Sequence, residues 1–197
     1  MASGAHWRVP DDSLDRDYGL GTIAGAVEGH SWFGHSGAFQ GFISSTACVP
    51  EWGVTVSIVT NCVDGLANPW VDGVLGFMHR FASHGPAVGA AADWRGRWWS
   101  YWGALDLVPM GSKVLATLPA LMSPFTDASE LAVESATEAR ICKANGFGSH
   151  GEPAKLVLSA DGKPIKLLLG GAELLPEQSF IDELADRTGA AAIVAHP

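Results

Sequence analysis

No stretch of about 18 uncharged apolar residues occurs in this chain, so no membrane-spanning helix is expected. The opening residues, Met1-Ala-Ser-Gly-Ala-His-Trp-Arg, lack the basic start and apolar run of a secretory signal, and the expected location is the cytoplasm. Cysteine is scarce. Cys48, Cys62 and Cys142 show no CxxC spacing, which argues against a disulfide framework and a zinc knuckle and leaves three buried free thiols as the expectation. Basic side chains are few as well: 12 Lys and Arg against 21 Asp and Glu give a net charge of -9. Nucleic-acid affinity comes mostly from phosphates neutralised by Lys and Arg, so no nucleic-acid partner is expected. The pairs His30/His35 and His79/His84 are each five residues apart, a spacing that suits neither one helix face nor alternate strand positions, and no metal site is expected. There is no repeat of fixed period and no low-complexity tract.

What is present fills 197 residues, enough for one domain or two small ones. Residues 1 to 17 are polar and carry Pro10-Asp11-Asp12-Ser13 and Asp15-Arg16-Asp17, the chemistry of a solvated lead-in. Residues 18 to 27 are apolar and Gly-rich. With a Gly-His-Ser turn at 29 to 31 and then Trp32-Phe33 they predict a hairpin entering Gly34. A strand over 41 to 47, a turn at Pro50-Glu51-Trp52-Gly53 and the β-branched run from Val54 to Thr60 follow. Pro69 suits the first residue of a helix over 70 to 82, with Val71, Val74, Leu75, Met78, Phe81 and Ala82 forming the face that packs on the sheet.

His84-Gly85-Pro86 and the small residues up to Ala92 read as a linker, so two domains are expected, residues 1 to 88 and 93 to 197. The second reads as short strands at 97 to 107, 113 to 118, 131 to 134, 139 to 143, 155 to 159 and 165 to 169. Turns fall at Pro109-Met110-Gly111, Asn145-Gly146 and Asp161-Gly162, Pro164 marks an edge, and a closing helix spans 177 to 188. That is a small antiparallel barrel. The aromatic cluster Trp94, Trp98, Trp99, Tyr101 and Trp102 is expected to fill its core, and Asp106, Glu130 and Glu134 to be surface charges.

Plausible catalytic groups converge at Gly34-His35-Ser36-Gly37-Ala38. One assignment is a nucleophile elbow with Ser36 attacking, which requires a helix to begin right after the serine. The residues up to Pro50 oppose a helix. The other assignment is an edge strand carrying a His-Ser-Gly triplet, with Tyr18 contributing packing. Tyr18-Gly-Leu-Gly21, Gly34-His-Ser-Gly37 with Gly41-Phe42, the turn at Pro50 and Val54-Thr-Val-Ser-Ile-Val-Thr-Asn61 together resemble the C-terminal part of the penicillin-recognising serine hydrolases, the superfamily of class C β-lactamases, D-alanyl-D-alanine carboxypeptidases and related esterases.

That resemblance implies an α+β fold: a partial β-lactamase-like antiparallel sheet with its C-terminal helix. Gly96-Arg97-Trp98 is similar to the opening of lipocalin barrels and implies a lipocalin-like second domain. It implies that His35 stands where the family has a Lys or His, that Ser36 faces the substrate, that Gly37 admits the substrate backbone, and that the N–H of Ala38 serves an oxyanion hole. No metal or organic cofactor is implied. The family's S-x-x-K nucleophile is missing, since no Ser stands three residues before any Lys, and its Tyr-x-Asn element is not found upstream. The implied partners are therefore an N-terminal S-x-x-K hydrolase portion and a small acyl substrate. The alternative is a non-catalytic binding or scaffold protein whose barrel takes a small apolar ligand or a protein.

Overall fold

The computed structural model describes residues 7–8, 17–121, 124–125, 128–145 and 148–188. The chain divides into two compact units, Met1–Arg80 and Phe81–Pro197. Antiparallel sheet dominates both, and among the described residues no helix is long and apolar enough to cross a membrane.

The first unit is a six-stranded meander: β1 (Trp7–Arg8), β2 (Asp17–Gly19), β3 (Thr22–Val27), β4 (His30–Phe39), β5 (Phe42–Val49) and β6 (Val54–Thr60), neighbours in space in that order. Three of its connections are two-residue turns of one kind. Leu20-Gly21, Glu28-Gly29 and Gln40-Gly41 each place both residues at positive φ, from 24° at Gln40 to 96° at Gly41. This is the turn whose twist matches that of the flanking strands. A non-glycine residue is strained there, so the sheet holds its register against a local cost at Leu20, Glu28 and Gln40.

Helix α1 (Ala67–His84) buries Val71 and Leu75 against Ala47 and Val49, with Val27, Trp32, Val56 and Ile58 at the margin. The helix begins two residues before Pro69, which still lies in the first turn where its missing N–H costs nothing. Ala67, Val71 and Leu75 carry the packed face, whereas Val74 and Phe81, expected on it, are exposed. Two further expectations are corrected. β4 is an internal strand between β3 and β5, and Trp7 and Arg8, read as part of a solvated lead-in, pair with Tyr18 and Asp17. Residues 10 to 13, 15 and 16 lie outside the described residues.

The second unit is a nearly closed eight-stranded barrel of consecutive hairpins: β7 (Gly96–Ser100), β8 (Gly103–Met110), β9 (Lys113–Thr117), β10 (Ser129–Val133), β11 (Glu138–Lys143), β12 (Pro153–Leu158), β13 (Pro164–Leu169) and β14 (Ala172–Leu174). Trp99 and Leu175 close it, each N–H donating to the other's carbonyl at 2.7 and 2.8 Å. Helix α2 (Glu177–Thr188) lies over that seam, with Phe180 stacked on Trp99 and edge-on to Tyr101. The lumen is filled by side chains, among them Trp94, Trp98, Leu131, Ile141 and Leu167.

The expected strand over 97 to 107 is a hairpin, because the chain reverses at Tyr101-Trp102, and these two aromatics are exposed rather than in the core. β14 escaped the sequence reading. Pro164 opens β13, which is internal; lacking an N–H, it sits where the register against β12 shifts. Gly146 of the expected Asn145-Gly146 turn lies outside the described residues. Glu130 is largely buried, not a surface charge, and accepts from Lys113 at 2.7 Å. The thiols are free, but Cys48 and Cys142 are half-buried and Cys62 is exposed.

Replacing Gly29 (φ 81°) by Ala should destabilise the first unit by about 1–2 kcal/mol, read as a lower urea midpoint. Leu131→Ala, at a fully buried barrel position, should cost about 2–5 kcal/mol in the second unit. The hydrogen bond to Glu130 raises the Lys113 pKa, and their mutual charge attraction raises it further. Stability from this pair is therefore complete below the ordinary lysine range and lost as pH rises through the raised value. Lys113→Met should flatten the alkaline limb of the stability profile.

Candidate functional site

The site follows from how β4 is paired. The pair flanking a two-residue hairpin turn is a hydrogen-bonded one, and hydrogen-bonded pairs recur at every second residue. Across the Gln40-Gly41 turn the bonded pairs are Phe39/Phe42, Gly37/Ser44 and His35/Thr46; across Glu28-Gly29 they are Val27/His30, Gly25/Trp32 and Ile23/Gly34. Ser36 and Ala38 therefore turn their N–H and C=O groups away from β5. On that side β3 pairs with β4 only as far as Gly34. Five residues, His35 to Phe39, continue beyond it. The backbone of Ser36 and Ala38 thus meets an open edge within an otherwise internal strand.

Glycine at position 34 is a packing requirement. An ideal Cβ there would lie 1.8 Å from the carbonyl oxygen of Thr46 and 2.7 Å from its carbon, a clash with backbone that no rotamer relieves. At Gly37 the same atom would meet only the Ser44 hydroxyl, at 2.8 Å, and that side chain can turn away.

A cleft of ≈ 420 Å³ opens beside this edge, lined by Trp32, His35, Ser36 and Ser45 from the sheet and by Asn68, Pro69, Val71 and Asp72 from the first turns of α1. Size, apolar walls and a few convergent polar groups are those of a ligand site. Ser36 is half-buried, and its hydroxyl makes no hydrogen bond among the described residues. His35 is exposed, and its Nδ1 lies 2.5 Å from the Ser36 carbonyl oxygen. A carbonyl only accepts, so Nδ1 carries the proton and donates. Nε2 is then the acceptor in the neutral ring, and it faces the Tyr18 hydroxyl at 3.4 Å.

Four of the residues singled out by sequence, His35, Ser36, Gly37 and Ala38, share this strand, and the first two line the cleft. The strand continues from Ser36 to Phe39 and returns as β5, so no helix follows the serine and the elbow geometry is absent. The first lysine of the chain is Lys113, so the first unit holds no lysine to serve as a base. Among the described residues no group of three His, Cys, Asp or Glu side chains could hold a metal ion.

No family model matches the chain, and no curated protein matches it. Among solved structures it is similar to the octameric penicillin-binding protein homologue from Pyrococcus abyssi, at 17% identity and a TM-score of 0.32 over 85% of this chain and 39% of that one. It is also similar to SurE bound to D-Leu and to another SurE structure, each at 16% identity and a TM-score of 0.34, over 86% of this chain and 42% and 40% of theirs. The chain spans about two fifths of the length of these structures. The likeness is weak, at the level of fold, and extends to no catalytic motif.

Two groupings escaped the sequence reading. Tyr18, assigned there to packing, meets His35 edge-on with ring centroids 5.9 Å apart. The hairpin turns at 20–21 and 28–29 hold the signal for it, because counting across them aligns Tyr18, Ile23 and Gly34 in one row, next to His35. The second grouping joins His30, Glu51, Trp52 and His79. His30 Nδ1 lies 2.7 Å from a Glu51 carboxylate oxygen, and the His30 and His79 rings are 5.3 Å apart. Spacing within the sequence could not reveal a pair made by packing a helix on a strand.

Gly34→Ala should part β4 from β5 and lower the thermal midpoint of the first unit by several degrees. Gly37→Ala should leave it within about 0.5–1 kcal/mol of the parent. Equal losses in the two variants would contradict the pairing described.

Proposed function

We propose that this chain is the C-terminal part of a β-lactamase-like serine hydrolase, in which an extended acyl substrate lies along the open edge of β4. The observation that carries this reading is the free edge at Ser36 and Ala38 beside the cleft. Ser36 offers an uncommitted hydroxyl to the substrate, and the Ala38 N–H is a backbone donor of the kind that stabilises an oxyanion. The nucleophile is the serine of an S-x-x-K motif on an N-terminal portion outside this sequence. Its Oγ would give its proton to the lysine of that motif and attack an ester, amide or β-lactam carbonyl; the C–O or C–N bond would break, the departing oxygen or nitrogen taking up a proton (and staying tethered in an opened β-lactam), and water would then hydrolyse the acyl-enzyme and regenerate the serine. The first unit would be the family's sheet and terminal helix, and the barrel its lipocalin-like appendage.

Helix α1 supports a missing partner. Beside its packed face it carries exposed Trp70 and Val74, at 51 and 39%, and Leu66, just before its first residue, is exposed as well. A helix apolar on two sides is normally covered on both. The alternative reading, a binding protein built on the barrel, rests on a pocket of ≈ 170 Å³ among Leu105, Ala116, Leu118, Leu121, Ser129 and Leu169. With the lumen filled, that space suits only a very small apolar ligand.

The chain alone should not hydrolyse a chromogenic ester or a β-lactam, and supplying an S-x-x-K-bearing N-terminal portion should restore turnover. Turnover by the chain alone that Ser36→Ala abolishes would overturn the proposal. In the restored enzyme Ala38→Pro, which removes a donor that no ladder uses, should lower kcat by roughly 10²–10³-fold with the fold intact.

A further inference from the structure

Deepening that site and resting on the reading of it, we infer that Tyr18 is a positioning residue for His35: its hydroxyl caps Nε2 while the Ser36 carbonyl holds Nδ1–H, locking the imidazole in one tautomer and one orientation. The two contacts come from different strands. The Nδ1 contact, at 2.5 Å, is made within β4 itself; the Nε2 contact, at 3.4 Å, is made from β2. Together they occupy both ring nitrogens. A neutral imidazole held this way has no N–H left to offer a ligand, and its basic nitrogen is covered by a hydroxyl.

The consequence is a division of labour at the edge of β4. Donors to an incoming carbonyl or carboxylate are the backbone N–H of Ala38 and the hydroxyl of Ser36, while the Tyr18 hydroxyl and both ring nitrogens of His35 are committed within the protein. His35 takes no proton from a nucleophile while Tyr18 covers it. Tyr18 is 41% exposed and His35 is exposed as well, so neither is held in place by burial, and orientation must come from the hydrogen bonds. A tyrosine that merely packed would need only its ring, which already lies edge-on to the imidazole at an interplanar angle of 74°.

That distinction gives the test. In the whole chain, without substrate or partner, two properties are read for the parent, Tyr18→Phe and Tyr18→Ala: the tautomer of His35 by ¹⁵N–¹H correlation at alkaline pH, where imidazoles are neutral, and the rate at which diethyl pyrocarbonate acylates His35, referred to exposed His150 in the same molecule. The parent should show the Nδ1–H tautomer alone and slow acylation. Tyr18→Phe and Tyr18→Ala should both acquire a measurable Nε2–H population and react several-fold faster. If Tyr18→Phe matches the parent and only Tyr18→Ala differs, the ring packs and the hydroxyl positions nothing, which overturns the inference. An Nε2–H tautomer in the parent overturns it as well. Neither readout requires hydrolysis, so failure here is distinguishable from failure of the proposed activity.

Discussion

Pairing of β3 with β4 stops at Gly34 while β4 runs on to Phe39, and the features of the first unit that bear on chemistry depend on that mismatch. Backbone N–H and C=O groups are strong, obligatory hydrogen-bonding groups, so two residues with no strand partner on one side, Ser36 and Ala38, make a place where something else can bind, although the Ser36 carbonyl already accepts from His35. An X-Gly turn decides which residues those are. Because the turns are all two residues long, the parity of hydrogen bonding carries from one hairpin to the next, and the open positions fall on Ser36 and Ala38. The Glu28-Gly29 turn alone puts His30, Trp32 and Gly34 on the β3 side, and Ser36 and Ala38 follow them at every second residue.

The two units solve the problem of sheet edges differently. The barrel closes on itself through Trp99 and Leu175 and covers the seam with α2, so its strands leave little backbone to compete for. Its core is dense with leucine and tryptophan. The first unit is an open meander whose α1 covers part of one face, and whose small core centres on Ala47, Val49, Val71 and Leu75. Phe39, Phe42, Val59 and Trp70 remain exposed on it. Contiguous apolar surface of that kind marks the contact faces of proteins.

Much of this architecture was legible in the sequence. β-branched runs marked β6, turn residues bounded most barrel strands, and the 3.6-residue pattern located both helices. The failures have particular causes. Val74 and Phe81 share a period with Leu75, but a helix with two apolar sides does not announce which one the sheet will take. Gly103 follows two aromatics that read as strand, which hid the reversal between β7 and β8. β14 is three residues long, too short for alternation to register. Glu130 looked solvent-exposed because charge was read without its partners, and a lysine on each neighbouring strand makes its burial tolerable.

At the candidate site the division is sharper. By itself the sequence determined that Gly34 to Ala38 would be extended, that a hairpin would lead into them and a strand follow them, and that no lysine-activated serine accompanies them, because strand propensity, turn chemistry and motif spacing are local properties of the chain. Only the tertiary structure decided that this strand is internal yet open along one stretch, that Tyr18 reaches His35, and that α1 helps enclose a cleft around Ser36. Those outcomes depend on where neighbouring strands stop and which helix face packs, and both are settled by contacts between residues far apart in the chain.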